Sequence, residues 1–214
     1  MASIESARQQ IKECGIIAII RGDYSVGDTL RIGDALIVGG VTVMEVTLNS
    51  SSALEALPRL RSQFKETMLI GAGTVRNVDQ ARAAHDAGAQ FTISPNLDLE
   101  IVSFARTRNL LHLPGVFTAT EAQAAFAAGC RMVKLFPMEV GGPAYLKALR
   151  APLNDIEFIP TGGVSLENIA EYARASAVAV GMGSKLVVSR DQSSVDLTSR
   201  ARALKDAWEH SRNG

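Results

Sequence analysis

Short apolar runs alternate with amphipathic segments along the whole chain, and this alternation constrains the fold more than any other feature. The runs cover 15–20, 42–48, 68–72, 90–93, 110–113, 132–136, 157–159 and 177–180. Between them lie helix-like segments at 26–38, 52–64, 77–87, 97–106, 119–128, 143–149 and 166–173. Thr120-Glu121 and Ser165 to Asn168 read as helix starts, and Gly39-Gly40, Gly88 and Gly129 as helix ends. A strand followed by a helix, repeated every roughly 20 to 30 residues, demands parallel strands joined by right-handed crossovers. Eight such units close a (β/α)8 TIM barrel, the α/β fold class expected here. A chain of 214 residues sits near the lower size limit for that fold, so its loops must be short. A doubly wound open sheet is the structural alternative. The expected organisation is one barrel domain over 1–214, with an N-terminal helix at 3–13 and a C-terminal helix at 195–210.

Charge and cysteine content exclude several functions. Lys+Arg and Asp+Glu both number 22 and form no basic block, so nothing points to nucleic acid or to an anionic membrane. Cys14 and Cys130 are far apart and belong to no Cys/His cluster, which argues for two reduced structural thiols rather than a disulfide or a zinc site. The first residues lack the charged-then-apolar pattern of a signal peptide, and no apolar stretch approaches 18 residues, so a cytoplasmic location is expected.

Lys134 is a charge out of place. It lies inside Met132-Val133-Lys134-Leu135-Phe136, a run suited to a strand buried on both faces. Desolvation disfavours an ammonium, so the amine pKa falls, and the neutral amine is the form that attacks a carbonyl. Lowering a lysine from its usual value to about 7 costs roughly 4.6 kcal/mol, which a fold seldom carries without use. The structural alternative is a side chain that snorkels to water or pairs with an acid. The other lysines, at 12, 65, 147, 185 and 205, have easier explanations on polar faces or at a loop.

In a barrel of this kind the chemistry gathers at the C-terminal ends of the strands. Arg21 follows the first run. The second carries Glu45, and alternation puts Glu45, Thr47 and Asn49 on one face. The third ends at Gly71-Ala72-Gly73-Thr74, the fourth at Ser94-Pro95-Asn96 and the sixth at Phe136-Pro137. The seventh and eighth end at Thr161-Gly162-Gly163 and Gly181-Met182-Gly183-Ser184, glycine-rich loops expected to open helices and offer backbone N–H groups to a phosphate. His112 reads as packing. No Asp/His/Glu group has metal-ligand spacing, so an amine mechanism without metal or cofactor is expected.

Glu45-Val46-Thr47-Leu48, Gly71 to Val75, Ser94-Pro95, Lys134-Leu135-Phe136-Pro137 and Thr161-Gly162-Gly163-Val164, in this order from about Ile16 to Leu186, resemble the signature blocks of the 2-keto-3-deoxy-6-phosphogluconate aldolase family. The resemblance implies a class I aldolase, a homotrimer of (β/α)8 barrels that cleaves a phosphorylated keto-sugar acid to pyruvate and glyceraldehyde 3-phosphate. It implies Lys134 as the Schiff-base lysine and Glu45 as general acid/base. Thr74, Pro95 and Phe136 match pyruvate-pocket positions, and Thr161, Gly162, Gly163 and Ser184, with Gly183 beside it, match those that receive hydroxyls and phosphate. One position departs: Asn49 stands where gluconate-type members usually have arginine. Asn49, Asn96 and Arg21-Gly22 are more like the phosphogalactonate branch, whereas Thr161 resembles the gluconate branch. Carboxylate binding then falls to Arg21, a bidentate donor. Phosphogalactonate or 4-hydroxy-2-oxoglutarate as substrate, another phosphate-binding barrel enzyme, and a non-catalytic phospho-sugar-acid sensor are the alternatives.

Overall fold

The computed structural model describes residues 3–213 and contains parallel strands in a curled sheet flanked by helices. Helix α1 (Ile4–Cys14) precedes β1 (Ile16–Ile20), α2 (Val26–Val38), β2 (Val43–Thr47), α3 (Ala53–Phe64), β3 (Leu69–Gly73), α4 (Val78–Asp86), β4 (Phe91–Ile93) and α5 (Leu99–Thr107). Then come β5 (Leu111–Leu113), β6 (Gly115–Val116), α6 (Ala119–Ala127), β7 (Met132–Leu135), α7 (Met138–Arg150), β8 (Glu157–Pro160), α8 (Ile169–Arg174), β9 (Val180–Met182) and α9 (Ser194–Asn213).

Six strands pair in the order β5-β4-β3-β2-β1-β9 and three in the order β6-β7-β8. Pro114 separates β5 from β6, because a proline has no N–H for the ladder. The expected fifth strand, 110–113, appears as β5, and a further short strand that was not expected, β6, follows beyond Pro114 in the other sheet. Gly115 N–H donates to Asn96 O at 3.3 Å across that gap, and on the other side Thr161 bridges to Gly181 in parallel sense.

Most expected elements appear with ends displaced by a few residues, each for a local reason. The terminal helices run over 4–14 and 194–213 rather than 3–13 and 195–210. The last strand starts at Val180, not 177, since Ala177 N–H is taken by Tyr172 O at the end of α8. Helix α6 is capped by Thr118, whose hydroxyl accepts from Glu121 N–H while the Glu121 carboxylate accepts from Thr118 N–H; the Thr120-Glu121 reading placed this start too late. Helix α8 starts at Ile169, later than expected, because Asn168 is spent on the loop before it. The eighth loop opens no helix: Leu186 and Val187 N–H both turn back to Gly183 O at 2.9 Å. Helix α7 starts earlier than the expected 143 but is broken at Gly142 (φ 64°), with Pro143 opening its second part, where the missing N–H costs nothing.

The strand interiors and the inward helix faces form one continuous core. Helix α1 packs against β1, β2 and β5, and Arg8 and Lys12 bind Glu157 of β8 at 2.6 and 2.9 Å. Helix α9 lies on α2 and α8 and ends with Trp208 fully buried against Gly15. Gly15 has φ 75°, and a Cβ there would enter the indole ring. Gly15→Ala therefore combines a left-handed strain with an overpacked contact, a loss of about 3 kcal/mol. The expected outcome is a Tm lower by roughly 6–12 °C in a thermal melt, and an unchanged Tm would refute the account.

Candidate active site

Glu45 on β2 and Lys134 on β7, strands of the two different sheets, face the same interior. Glu45 is opposite Ile19 on β1 and Gly71 on β3; Lys134 is opposite Gly115 on β6 and Ile159 on β8. Both side chains line one cavity of about 210 Å³ at the C-terminal ends of the strands. Arg21, Asn49, Thr74, Pro95, Phe136, Thr161, Gly162, Gly163, Gly183 and Ser184 line it as well. The candidate residues taken from seven separate segments of sequence thus converge on a single space.

The interior of this site is buried and short of partners. Glu45 is 1% exposed, and its Oε2 has no hydrogen-bond partner among the described residues. Burial pushes its carboxyl up from the usual 4.5 to about 7, against the opposing pull of Lys134 and Arg21. Burial also lowers the Lys134 amine, opposed by Glu45 and assisted by Arg21. The Lys134 Nζ lies 4.7 Å from the centroid of the Phe136 ring. That ring favours the ammonium by about 1 kcal/mol, less than the several kcal/mol that removal from water costs a charge, so desolvation decides the direction.

Glycines make the room. A Cβ at Gly73 would lie 2.5 Å from the Glu45 Cδ, so β3 must be bare beside the acid. Gly181 does the same for the Thr161 side chain, whose hydroxyl donates to Ile159 O at 3.3 Å. At the mouth, Thr74 adopts φ 56°, and Gly162 and Gly163 adopt φ 95° and 68°. These positive φ values turn the chain sharply, and Gly162 and Gly163 leave the backbone of the loop free of side chains at the mouth. Asn168 fixes the loop, accepting from Ser165 N–H and donating to Gly163 O, both within 2.9 Å.

Asn49 lies beyond the end of β2, on an exposed turn rather than on the strand face. The turn is tied by Ser50, whose hydroxyl meets Thr47 Oγ1 at 3.1 Å and accepts from Gly22 N–H at 3.1 Å. His112 is outside the cavity, buried, with Nδ1 2.9 Å from Thr92 Oγ1, and burial drives it down to about 4. It is neutral and packs, as its sequence suggests. Both cysteines are free and buried. Among the described residues, no group of three or more His, Cys, Asp or Glu is placed to hold a metal, and no helix is long and apolar enough to cross a membrane.

Glu139 and Ile19 line the cavity without having been singled out from the sequence. Ile19, an apolar strand residue, carries no chemical signal. Glu139 follows Pro137-Met138 and reads as an ordinary acid in the first turn of a helix.

Comparison with known proteins decides the family. Residues 7–200 match the profile described as KDPG and KHG aldolase. The chain belongs to this aldolase family. A curated relative, the 2-dehydro-3-deoxy-phosphogluconate aldolase of Pseudomonas aeruginosa, is 43% identical over 208 residues, 94% of this chain and 93% of its own. A solved native KDPGal structure superposes with a TM-score of 0.88 at 33% identity, covering 93% of this chain and 96% of the other. The KDPG aldolase of Legionella pneumophila, solved with pyruvate captured as a covalent carbinolamine intermediate, has a TM-score of 0.78 at 29% identity and covers 94% and 95%.

The buried acid of this aldolase has a consequence for stability. Its folded pKa, about 7, exceeds the unfolded 4.5, so the native state holds an extra proton between these values. The stability that this proton contributes is complete below about pH 4.5 and is lost as pH rises through about 7. Glu45→Gln removes the titration. Its Tm relative to the parent is expected to rise between pH 5 and pH 8 in parallel melts, and a difference independent of pH would contradict the assigned burial.

Proposed function

We propose that this aldolase cleaves 2-keto-3-deoxy-6-phosphogluconate to pyruvate and glyceraldehyde 3-phosphate through a Schiff base on Lys134. The reading takes the fold as a closed (β/α)8 barrel that spans the chain as one domain, and the assembly as a homotrimer. One observation carries the chemistry: a desolvated amine and a desolvated carboxyl, shifted in opposite directions, share a cavity whose mouth carries a glycine loop suited to phosphate.

The neutral Lys134 amine attacks the C2 ketone and loses water, giving an iminium that accepts the electrons of the C3–C4 bond. A carboxyl with a pKa near 7 exists in both forms at neutral pH, so Glu45 can donate a proton to the departing water and then take the proton of the C4 hydroxyl. The aldehyde leaves, the enamine is protonated at C3, and hydrolysis releases pyruvate. Thr74, Pro95 and Phe136 enclose the pyruvate part. Thr161 receives a hydroxyl, while Gly162, Gly163, Gly183 and Ser184 hold the phosphate away from the breaking bond, where binding orients the substrate without opposing the reaction. Arg21, exposed at the mouth, binds the carboxylate.

Borohydride reduction in the presence of pyruvate tests the nucleophile. An irreversible mass increase on Lys134 is expected, absent from Lys134→Ala, which is also inactive; Glu45→Gln still binds pyruvate but cleaves at least about a hundred-fold more slowly. Turnover by Lys134→Ala would defeat the mechanism.

Asn49 favours a second reading, in which the same chemistry acts on the phosphogalactonate epimer. With an amide in place of a guanidinium, the mouth lacks one charge for the substrate carboxylate and gains a short donor and acceptor for hydroxyls. Paired kinetics on the two epimers, with 4-hydroxy-2-oxoglutarate as the unphosphorylated third, separate them. The gluconate epimer is expected to give the highest kcat/KM, and a higher value for the galactonate epimer would transfer the assignment.

A further inference from the structure

Glu139 is the one acid at the cavity mouth that the mechanism leaves without a task. It belongs to the first turn of α7 and lines the cavity with the Gly162–Gly163 loop. Its side chain is laid along that loop: a Cβ at Gly162 would collide with the carboxylate, and one at Gly163 would lie 3.0 Å from its Cγ. The loop is bare of side chains where the acid passes. Glu139 makes no hydrogen bond and no ion pair among the described residues, although Arg21 and Lys185 line the same cavity.

A carboxylate beside a phosphate loop is unfavourable unless the ligand offers it something besides the phosphate, because two anions at close range repel. An ionised carboxylate only accepts hydrogen bonds. Between the reacting centre and the phosphate, the substrate has two donors, the hydroxyls at C4 and C5. The C4 hydroxyl is committed to Glu45, which takes its proton. With Glu45 and Thr161 both assigned to the C4 hydroxyl, the C5 hydroxyl has no such commitment, and it is borne by the carbon next to the phosphate-bearing C6, the part of the substrate that the aldolase reading sets against Gly162 and Gly163. We propose, on the basis of the aldolase reading above, that Glu139 is a specificity residue whose carboxylate accepts a hydrogen bond from the C5 hydroxyl.

The arrangement explains why both glycines are needed where they stand. Positive φ at Gly162 and Gly163 suits residues without a Cβ, and the absence of side chains lets the Glu139 carboxylate lie against the loop, within reach of the carbon that adjoins a phosphate bound there. Substrates without the C5 hydroxyl meet the repulsion and receive nothing in return, so the acid discriminates against short or deoxygenated keto acids. The competing role is a structural one, an acid that merely favours the helix N-terminus. Such an acid would affect every substrate alike.

A substrate-and-residue double cycle separates the two roles. The parent protein and Glu139→Gln are each assayed with the phosphorylated substrate and with its 5-deoxy analogue. The variant is expected to lose about ten-fold in kcat/KM on the hydroxylated substrate, as befits loss of a hydrogen bond to a charged acceptor. On the deoxy analogue, which meets only the repulsion, it is expected to lose nothing and to gain as the charge is removed, with the thermal midpoint unaltered. Equal losses on both substrates, or no loss on either, would overturn the proposal. Borohydride trapping of pyruvate on Lys134 runs in parallel: if the parent traps pyruvate and the coupling is absent, only the role of Glu139 falls, and if the parent does not trap pyruvate, the aldolase reading and this inference fall together.

Discussion

Removal of Glu45 and Lys134 from water is the constraint on which the rest of the site depends. A lone buried charge would cost the fold several kcal/mol, and two buried groups of opposite sign offset part of that cost for each other. Burial raises the acid and lowers the amine, while their mutual attraction works against both shifts. Arg21 breaks the symmetry: from the mouth it favours the carboxylate and disfavours the ammonium. A cation at the rim therefore moves both groups toward the state in which the amine is a nucleophile and the acid a base. An arginine there has an electrostatic effect on the chemistry before it touches any substrate.

The same constraint shapes the packing around the pair. Strand β3 contributes glycine at 71 and 73 on the inner face, and the freed volume is filled by the Phe91 ring and the Glu45 carboxyl. Large and small residues on adjacent strands thus fill one layer, which excludes water while leaving the reactive groups open to the mouth. Apolar residues on the other face of β2, Met44 and Val46, hold the strand to its helices. A strand buried on both faces is what permits a charge in its sequence to be informative.

Much of this was legible in the sequence because parallel strands under helices are continuous apolar runs, and any polar residue inside one is conspicuous. Glu45 and Lys134 stood out for that reason, as did the glycine pairs at strand ends. The rest was hidden by competition among local preferences. Pro114 ends the fifth run where expected, but Gly115-Val116 beyond it is too short to read as the separate strand that pairs with β7. Thr118 was overlooked as a cap because Thr120 offers the same hydroxyl closer to the acid. Gly142 and Pro143 suggested a helix start and are the break within a longer one. Glu139 has the chemistry of a site residue and the sequence context of an ordinary helix acid, and only the packing of α7 against the Gly162–Gly163 loop distinguishes the two.

Depth divides the site into parts that evolve under different costs. Glu45 and Thr161 are buried, and the space for each is set by a facing glycine, so replacement there disturbs the sheet itself. Arg21, Asn49, Glu139 and Ser184 are exposed, where most substitutions change stability by only about 0.5 kcal/mol. The reaction is thus tied to the fold, and the choice of substrate is not. A chain in this family can hold the buried pair fixed while the exposed residues of its mouth vary, because a change at Arg21, Asn49 or Ser184 leaves the glycines that face Glu45 and Thr161 undisturbed.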